Sequence, residues 1–233
     1  MKSKRSVRAW IAICFGGSLC LALACYGLPT DGWTTTTELD RANCTMTIIE
    51  SDGQAEINAR FTKSIGLQVE LADDQSVAVN DTLLTGPDDD HKYIATIDQA
   101  DQYVITVTEP TRGVETTTVE PPAAFEITSP ADGQDASLSG FTVTWSNADA
   151  ACSVLVRLTQ SIFGQEYEFI GSALSDSGSF TLTADDLWEG GFQQGADLTV
   201  MVTRIKEVSG INGFLTSQVS VARSQTVQLV PAP

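Results

Sequence analysis

Glu56-Ile57-Asn58-Ala59-Arg60-Phe61-Thr62 decides the fold class: Ile57, Ala59 and Phe61 fall on one side of a two-residue period, and Glu56, Asn58, Arg60 and Thr62 on the other. A strand turns successive side chains to opposite faces, so this stretch reads as a half-buried β-strand with its apolar side against a core. The alternation recurs in Tyr103-Val104-Ile105-Thr106-Val107-Thr108, where Tyr103, Ile105 and Val107 share a face. Between the two, Asn80-Asp81 separates Ser76-Val77-Ala78-Val79 from Thr82-Leu83-Leu84. That is a tight-hairpin signature, because Asn and Asp tolerate the left-handed backbone of a two-residue turn. Beyond residue 43 no long stretch carries a helical period.

Further along, Glu109-Pro110 marks a turn, residues 114–119 a strand, and Pro121-Pro122 a domain boundary. A proline pair cannot join a central ladder and makes a stiff connection. After it, strands are expected at 141–145, 152–159, 167–170, 179–183, 198–205 and 217–229. Turn signals separate them at Ser177-Gly178, Gly190-Gly191 and Ser209-Gly210. Trp145 shares its parity with Phe141 and Val143, which places it in a core.

The opening Phe125-Glu126-Ile127-Thr128-Ser129-Pro130-Ala131-Asp132-Gly133, followed by the alternating strand that ends at Trp145, resembles the immunoglobulin-like domains of secreted cell-surface proteins. Similar openings occur in yeast cell-wall GPI-anchored proteins and in bacterial envelope proteins of unassigned role. The resemblance covers about 20 residues and implies a fold, a sandwich of two sheets, and no activity.

The N-terminal residues read as an export signal. A basic start (Lys2, Lys4, Arg5, Arg8) precedes an apolar run from Ala9 to Leu23 and a small residue, Ala24, before Cys25. Leu21-Ala22-Leu23-Ala24-Cys25 resembles the lipobox of bacterial lipoproteins, in which the signal is cut before the cysteine and the cysteine carries the lipid. The resemblance implies lipidation at Cys25. Tyr26 after it resembles the outer-membrane sorting pattern, with a secreted or periplasmic location as the alternative. An uncleaved anchor is the other reading of the run, although Gly16, Gly17 and Ser18 dilute it.

The chain of 233 residues carries 13 Lys plus Arg against 30 Asp plus Glu; without the four basic leader residues, 9 remain against 30, a net of −21. Such a surface repels nucleic acid and anionic head groups. Membrane attachment is therefore expected through acyl chains alone.

Two cysteines remain after the leader and Cys25 are set aside. Cys44 shares parity with Met46 and Ile48, and Cys152 with Val154, Val156 and Leu158. Each should point into its own core, which favours two free thiols over the inter-domain disulfide that an exported chain invites.

Candidate sites are few. Asp88-Asp89-Asp90-His91 is a weak metal candidate; it lacks the glycine and ligand spacing of an EF-hand loop and otherwise reads as a solvated acidic loop. Asp73-Asp74 and Asp185-Asp186 read as similar loops. The single histidine and the absence of a nucleophile elbow, a phosphate loop or a zinc-ligand cluster argue against an enzyme. No cofactor is implied. Trp188 and Phe192, outside any clear alternation and beside acids, form a possible glycan-contact pair if both are exposed on one face.

The expectation is an all-β chain: signal peptide 1–24, lipidated flexible tether 25–43, and two tandem immunoglobulin-like β-sandwich domains at 44–122 and 123–233. Its expected role is non-enzymatic, structural or adhesion-like protein interaction at the cell envelope. A carbohydrate-binding module is the alternative.

Overall fold

Alternating apolar positions become strands along nearly the whole of the computed structural model, which describes residues 34–36, 38–63 and 67–231. The expected leader and Cys25 lie outside the described residues. Among the described residues nine strands precede Pro121-Pro122: β1 (Thr34–Thr36), β2 (Asn43–Ser51), β3 (Gln54–Thr62), β4 (Val69–Leu71), β5 (Ser76–Val79), β6 (Thr82–Leu83), β7 (Tyr93–Asp98), β8 (Tyr103–Glu109) and β9 (Gly113–Val119). Eight follow: β10 (Ile127–Ser129), β11 (Asp135–Ala136), β12 (Gly140–Trp145), β13 (Ser153–Ile162), β14 (Gln165–Ala173), β15 (Ser179–Thr183), β16 (Leu198–Ser209) and β17 (Thr216–Pro231), with the short helix α1 (Ala184–Glu189) after β15. The fold is an all-β sandwich. Among the described residues no helix is long and apolar enough to cross a membrane.

One long sheet runs β14-β13-β16-β17-β2-β3-β7, with β11 alongside the end of β17. Two small sheets face it, β6-β5-β8-β9 over one half and β10-β12-β15 over the other. The first core joins Met46, Ile48, Ile57, Ala59 and Phe61 of the long sheet to Val77, Tyr103 and Ile105 of the four-stranded one. The second joins Val154, Val156, Leu158, Leu198 and Val200 to Val143, Trp145 and Leu182. Asn80 and Asp81 turn the β5–β6 hairpin with φ of 45° and 64°, the left-handed pair that a two-residue loop requires.

The chain crosses from the first core to the second at Pro121-Pro122, where the sequence places the boundary, but the second segment is not self-contained. β16 and β17 pair in register from Leu198↔Leu229 to Ser209↔Gln218, and β17 then pairs in parallel with β2 from Thr216↔Asn43 to Arg223↔Glu50. Their inward face serves the second core at Leu198, Val200, Val202 and Leu229 and the first core at Val219 and Val221. A strand pair longer than either core needs thus crosses both.

The packed fold also begins inside the stretch expected to be tether. Leu39 and Ala42 are fully buried in the first core, and the Leu39 N–H donates to Glu109 Oε1 at 2.9 Å. Thr34–Thr36 lies parallel to Val69–Leu71. A single 3₁₀ turn at Leu39–Arg41 buries isolated residues, so no period announces it.

Candidate functional site

The long hairpin sets the geography of the molecule. β16 runs from the loops of the second half to the turn beside Asn43, a distance of roughly 36 Å at about 3.3 Å per residue. The N-terminal side of the chain therefore joins the sandwich at one end, and the β13–β14 turn and α1 lie at the other.

At that distal end the chain presents aromatic residues. Phe163 and Gly164 turn the β13–β14 hairpin with φ of 51° and 75°, leaving the Phe163 ring fully exposed. α1 is started by a capping box: Asp186 Oδ2 accepts from the Thr183 N–H at 2.8 Å and the Thr183 hydroxyl at 2.7 Å, while the Asp186 N–H returns to Thr183 Oγ1. These bonds, the backbone one first, hold the Asp186 carboxyl below the usual carboxylate range. Asp185-Asp186 is thus a helix start, and the Thr183-x-x-Asp186 spacing carried the signal. Leu187 points into the core and Trp188 outward, 84% exposed. Gln160, itself buried, ties the following loop to β13 by donating to the Gln193 and Ala196 carbonyls at 2.9 Å each and accepting from the Gln193 N–H.

The expected Trp188–Phe192 pair does not form. Phe192 is 7% exposed and belongs to the second core. Gly190 and Gly191 fold the chain back after the helix, with φ of +76° at Gly191 and no room for a side chain against the Tyr167 ring. The exposed aromatics of this end are Trp188 and Phe163, with Tyr167 half-buried beside Gly191.

The acid run does not gather into a metal site. Asp88 Oδ1 accepts from the Asp90 and Lys92 N–H groups, Asp90 pairs with Lys92 Nζ at 3.3 Å, and His91 sits at φ 63°. Among the described residues no three His, Cys, Asp or Glu side chains converge. Asp73-Asp74 is an exposed turn.

Cys44 and Cys152 are free and buried. Burial pushes the Cys44 thiol up to about 12. Burial, then the hydrogen bond to Asp149, pushes Cys152 up to about 11.

Alternation carries a second message that the sequence reading missed: charged residues at inward parity. Arg204 follows Leu198, Val200 and Val202 on one face of β16, and Glu50 follows Cys44, Met46 and Ile48 on β2. Both are buried where the cores meet. Arg204 Nε contacts Asp176 Oδ2 at 2.6 Å, off the line of a straight hydrogen bond, with both side chains fully buried. Its Nη1 and Nη2 donate to the Ala123 and Ser146 carbonyls, and its guanidinium lies 4.6 Å above the Phe125 ring. Asp176 also accepts from Trp145 Nε1 at 2.7 Å and from the Gly178 and Asp149 N–H groups. Directly across from Arg204, Arg223 pairs with Glu50, whose other oxygen accepts the Tyr103 hydroxyl at 2.6 Å. This polar belt holds the crossover segment.

Shallow grooves mark the described surface. One of about 440 Å³ lies among Asn43, Thr45, Glu207 and Gln218; another of about 480 Å³ lies among Gln54, Asn80, Thr96 and Asp98. Each is lined by a single carboxylate, Glu207 or Asp98.

Among the described residues basic side chains pair with acids at Glu38–Arg41, Asp90–Lys92, Arg112–Glu115, Arg157–Glu168, Asp176–Arg204, Glu120–Lys206 and Glu50–Arg223. The remaining excess of acid defines the surface. No protein-family model matches this chain, and no curated protein shows significant similarity to it.

Proposed function

We propose that the protein is a non-enzymatic, lipid-anchored module of the bacterial cell envelope that engages another macromolecule through its distal half. The observation that carries this reading is the separation of ends along β16: Leu39 and Asn43, described residues that follow the expected Cys25 anchor in the chain, lie at one end, and the β13–β14 turn with the exposed Phe163 lies roughly 36 Å away. Exposed aromatics at the end away from the first described residues are suited to display. The acidic surface keeps the body off an anionic bilayer and leaves attachment to the acyl chains.

Intact-mass measurement of the membrane fraction tests the anchor. Wild type should give residues 25–233 plus acyl groups, and Cys25→Ala should lose them. An unlipidated mass for both would overturn the anchored reading.

Glycan binding is the second reading, favoured by the exposure of Trp188. Sedimentation with insoluble cell-wall polysaccharide should then fall at least tenfold in Trp188→Ala, and unchanged sedimentation would reject it.

A further inference from the structure

β14 is a long, open edge. It closes one side of the long sheet over nine residues, pairs with β13 from Val154↔Ala173 to Ile162↔Gln165 without a shift of register, and contains no proline, lysine or arginine. Among the described residues nothing is hydrogen-bonded to its outer backbone side. Other edges are guarded. Asn212 bonds the Thr116 carbonyl and Thr117 hydroxyl of β9, Thr85 bridges Ile94 of β7, and β15 has only five residues. Natural sheets ordinarily blunt an edge with charge, proline or a bulge, because its free N–H and C=O groups template another strand; on β14 the only such device is the carboxylates Glu166 and Glu168, which repel an acidic strand and admit a basic one.

The chemistry beside the edge selects its occupant. On the inward side Tyr167, Phe169 and Phe180 are half-buried and pack on the second core; the Cβ position of Gly171 lies 2.8 Å from Phe180 Cε1, so β14 and β15 are facing strands. A strand added to β14 would cover these rings with alternate apolar side chains. On the outward side stand Glu166, Glu168 and Ile170, with Glu168 paired to Arg157. Alternate side chains on that face meet negative charge. A second copy would bring its own acidic excess, a net of −17 for the whole chain, to the same edge.

We propose that β14 binds an extended basic segment of a partner protein as an added strand, basic residues facing Glu166 and Glu168 and apolar ones facing Tyr167 and Phe169. This rests on the interaction reading above and specifies its partner.

The test uses the full-length chain in detergent micelles and a fluorescent nine-residue peptide of alternating lysine and valine. Two further peptides are N-methylated at the lysines or at the valines. Strand addition uses one set of peptide N–H groups, so one methylated peptide should bind at least tenfold more weakly and the other should bind like the parent. A peptide with glutamate for lysine should also bind at least tenfold more weakly, and E166Q/E168Q, at two exposed positions, should weaken the parent peptide severalfold. Amide exchange should slow in β14. No binding, equal loss with both methylated peptides, or protection elsewhere would overturn the proposal. So would a dimer whose β14 amides are protected without peptide, which would assign the edge to a second copy. Failure of lipidation at Cys25 leaves each of these readouts intact, so the two proposals fail separately.

Discussion

Replacing Arg204 by Met should be among the most destabilising changes to the described fold. Methionine keeps apolar volume over Phe125 but removes the charge facing Asp176 and the donors to the Ala123 and Ser146 carbonyls. Removing one partner of a buried ion pair typically costs about 3–5 kcal/mol, because the other charge stays buried. Asp176 keeps three donors, from Trp145, Gly178 and Asp149, which places the expected cost toward the lower end, about 3 kcal/mol. For a chain of this size that lowers Tm by roughly 6–12 °C. Urea denaturation of R204M, D176N and the double variant measures it. The double should be more stable than the sum of the single losses by about 2 kcal/mol, since each single variant strands the other member of the pair and the double strands neither. A loss below about 1 kcal/mol in R204M, or additive single losses, would refute the view that the pair closes the junction between the cores.

Alkali should destabilise the fold from about pH 9. Folding raises the Cys44 and Cys152 thiols to about 12 and about 11 and pushes the Tyr103 and Tyr93 hydroxyls up, chiefly by burial. A raised group contributes fully below its unfolded value and loses its contribution as pH rises toward the folded one, at about 1.4 kcal/mol per pH unit for the buried Cys44 thiol. C44A should flatten the alkaline limb of the stability profile; an unchanged limb would exclude the thiol. At pH 8 iodoacetamide should modify neither thiol natively and both in urea, and rapid native labelling of Cys152 would contradict its burial. D81V should cost about 1–2 kcal/mol in urea, because a β-branched residue is strained at φ 64°, whereas D81G should be neutral or stabilising. G171A should cost about 1–3 kcal/mol, since the added methyl meets the Phe180 and Phe169 rings; an unchanged midpoint would mean that those rings swing aside freely.

Alternation made the strands legible one at a time. It located Ile57, Ala59 and Phe61, marked the Asn80-Asp81 hairpin, and put Trp145 in a core, where its Nε1 finds Asp176. A two-residue period is a local property, fixed by the pleat of the backbone and the contrast between neighbouring side chains. Parity also indicated the burial of Cys44 and Cys152. It gave no direction for Phe192, where Gly190 and Gly191 rather than any period turn the chain and bury the ring.

The sequence by itself determined the all-β class, the strand faces, the acidic surface and the point at which the chain crosses between cores. Tertiary structure decided that the two cores share one sheet. The pairing of Thr216 with Asn43 joins residues far apart in the chain, and nothing local distinguishes β2 from any other strand as the partner of β17. It also decided that Arg204 and Glu50, inward by parity, are tolerated because Asp176, from the loop between β14 and β15, and Arg223, from β17, arrive to meet them. Which edge remains open was decided there too: among the described residues no strand pairs with the outer side of β14, a property of the assembled sheet and of no single segment.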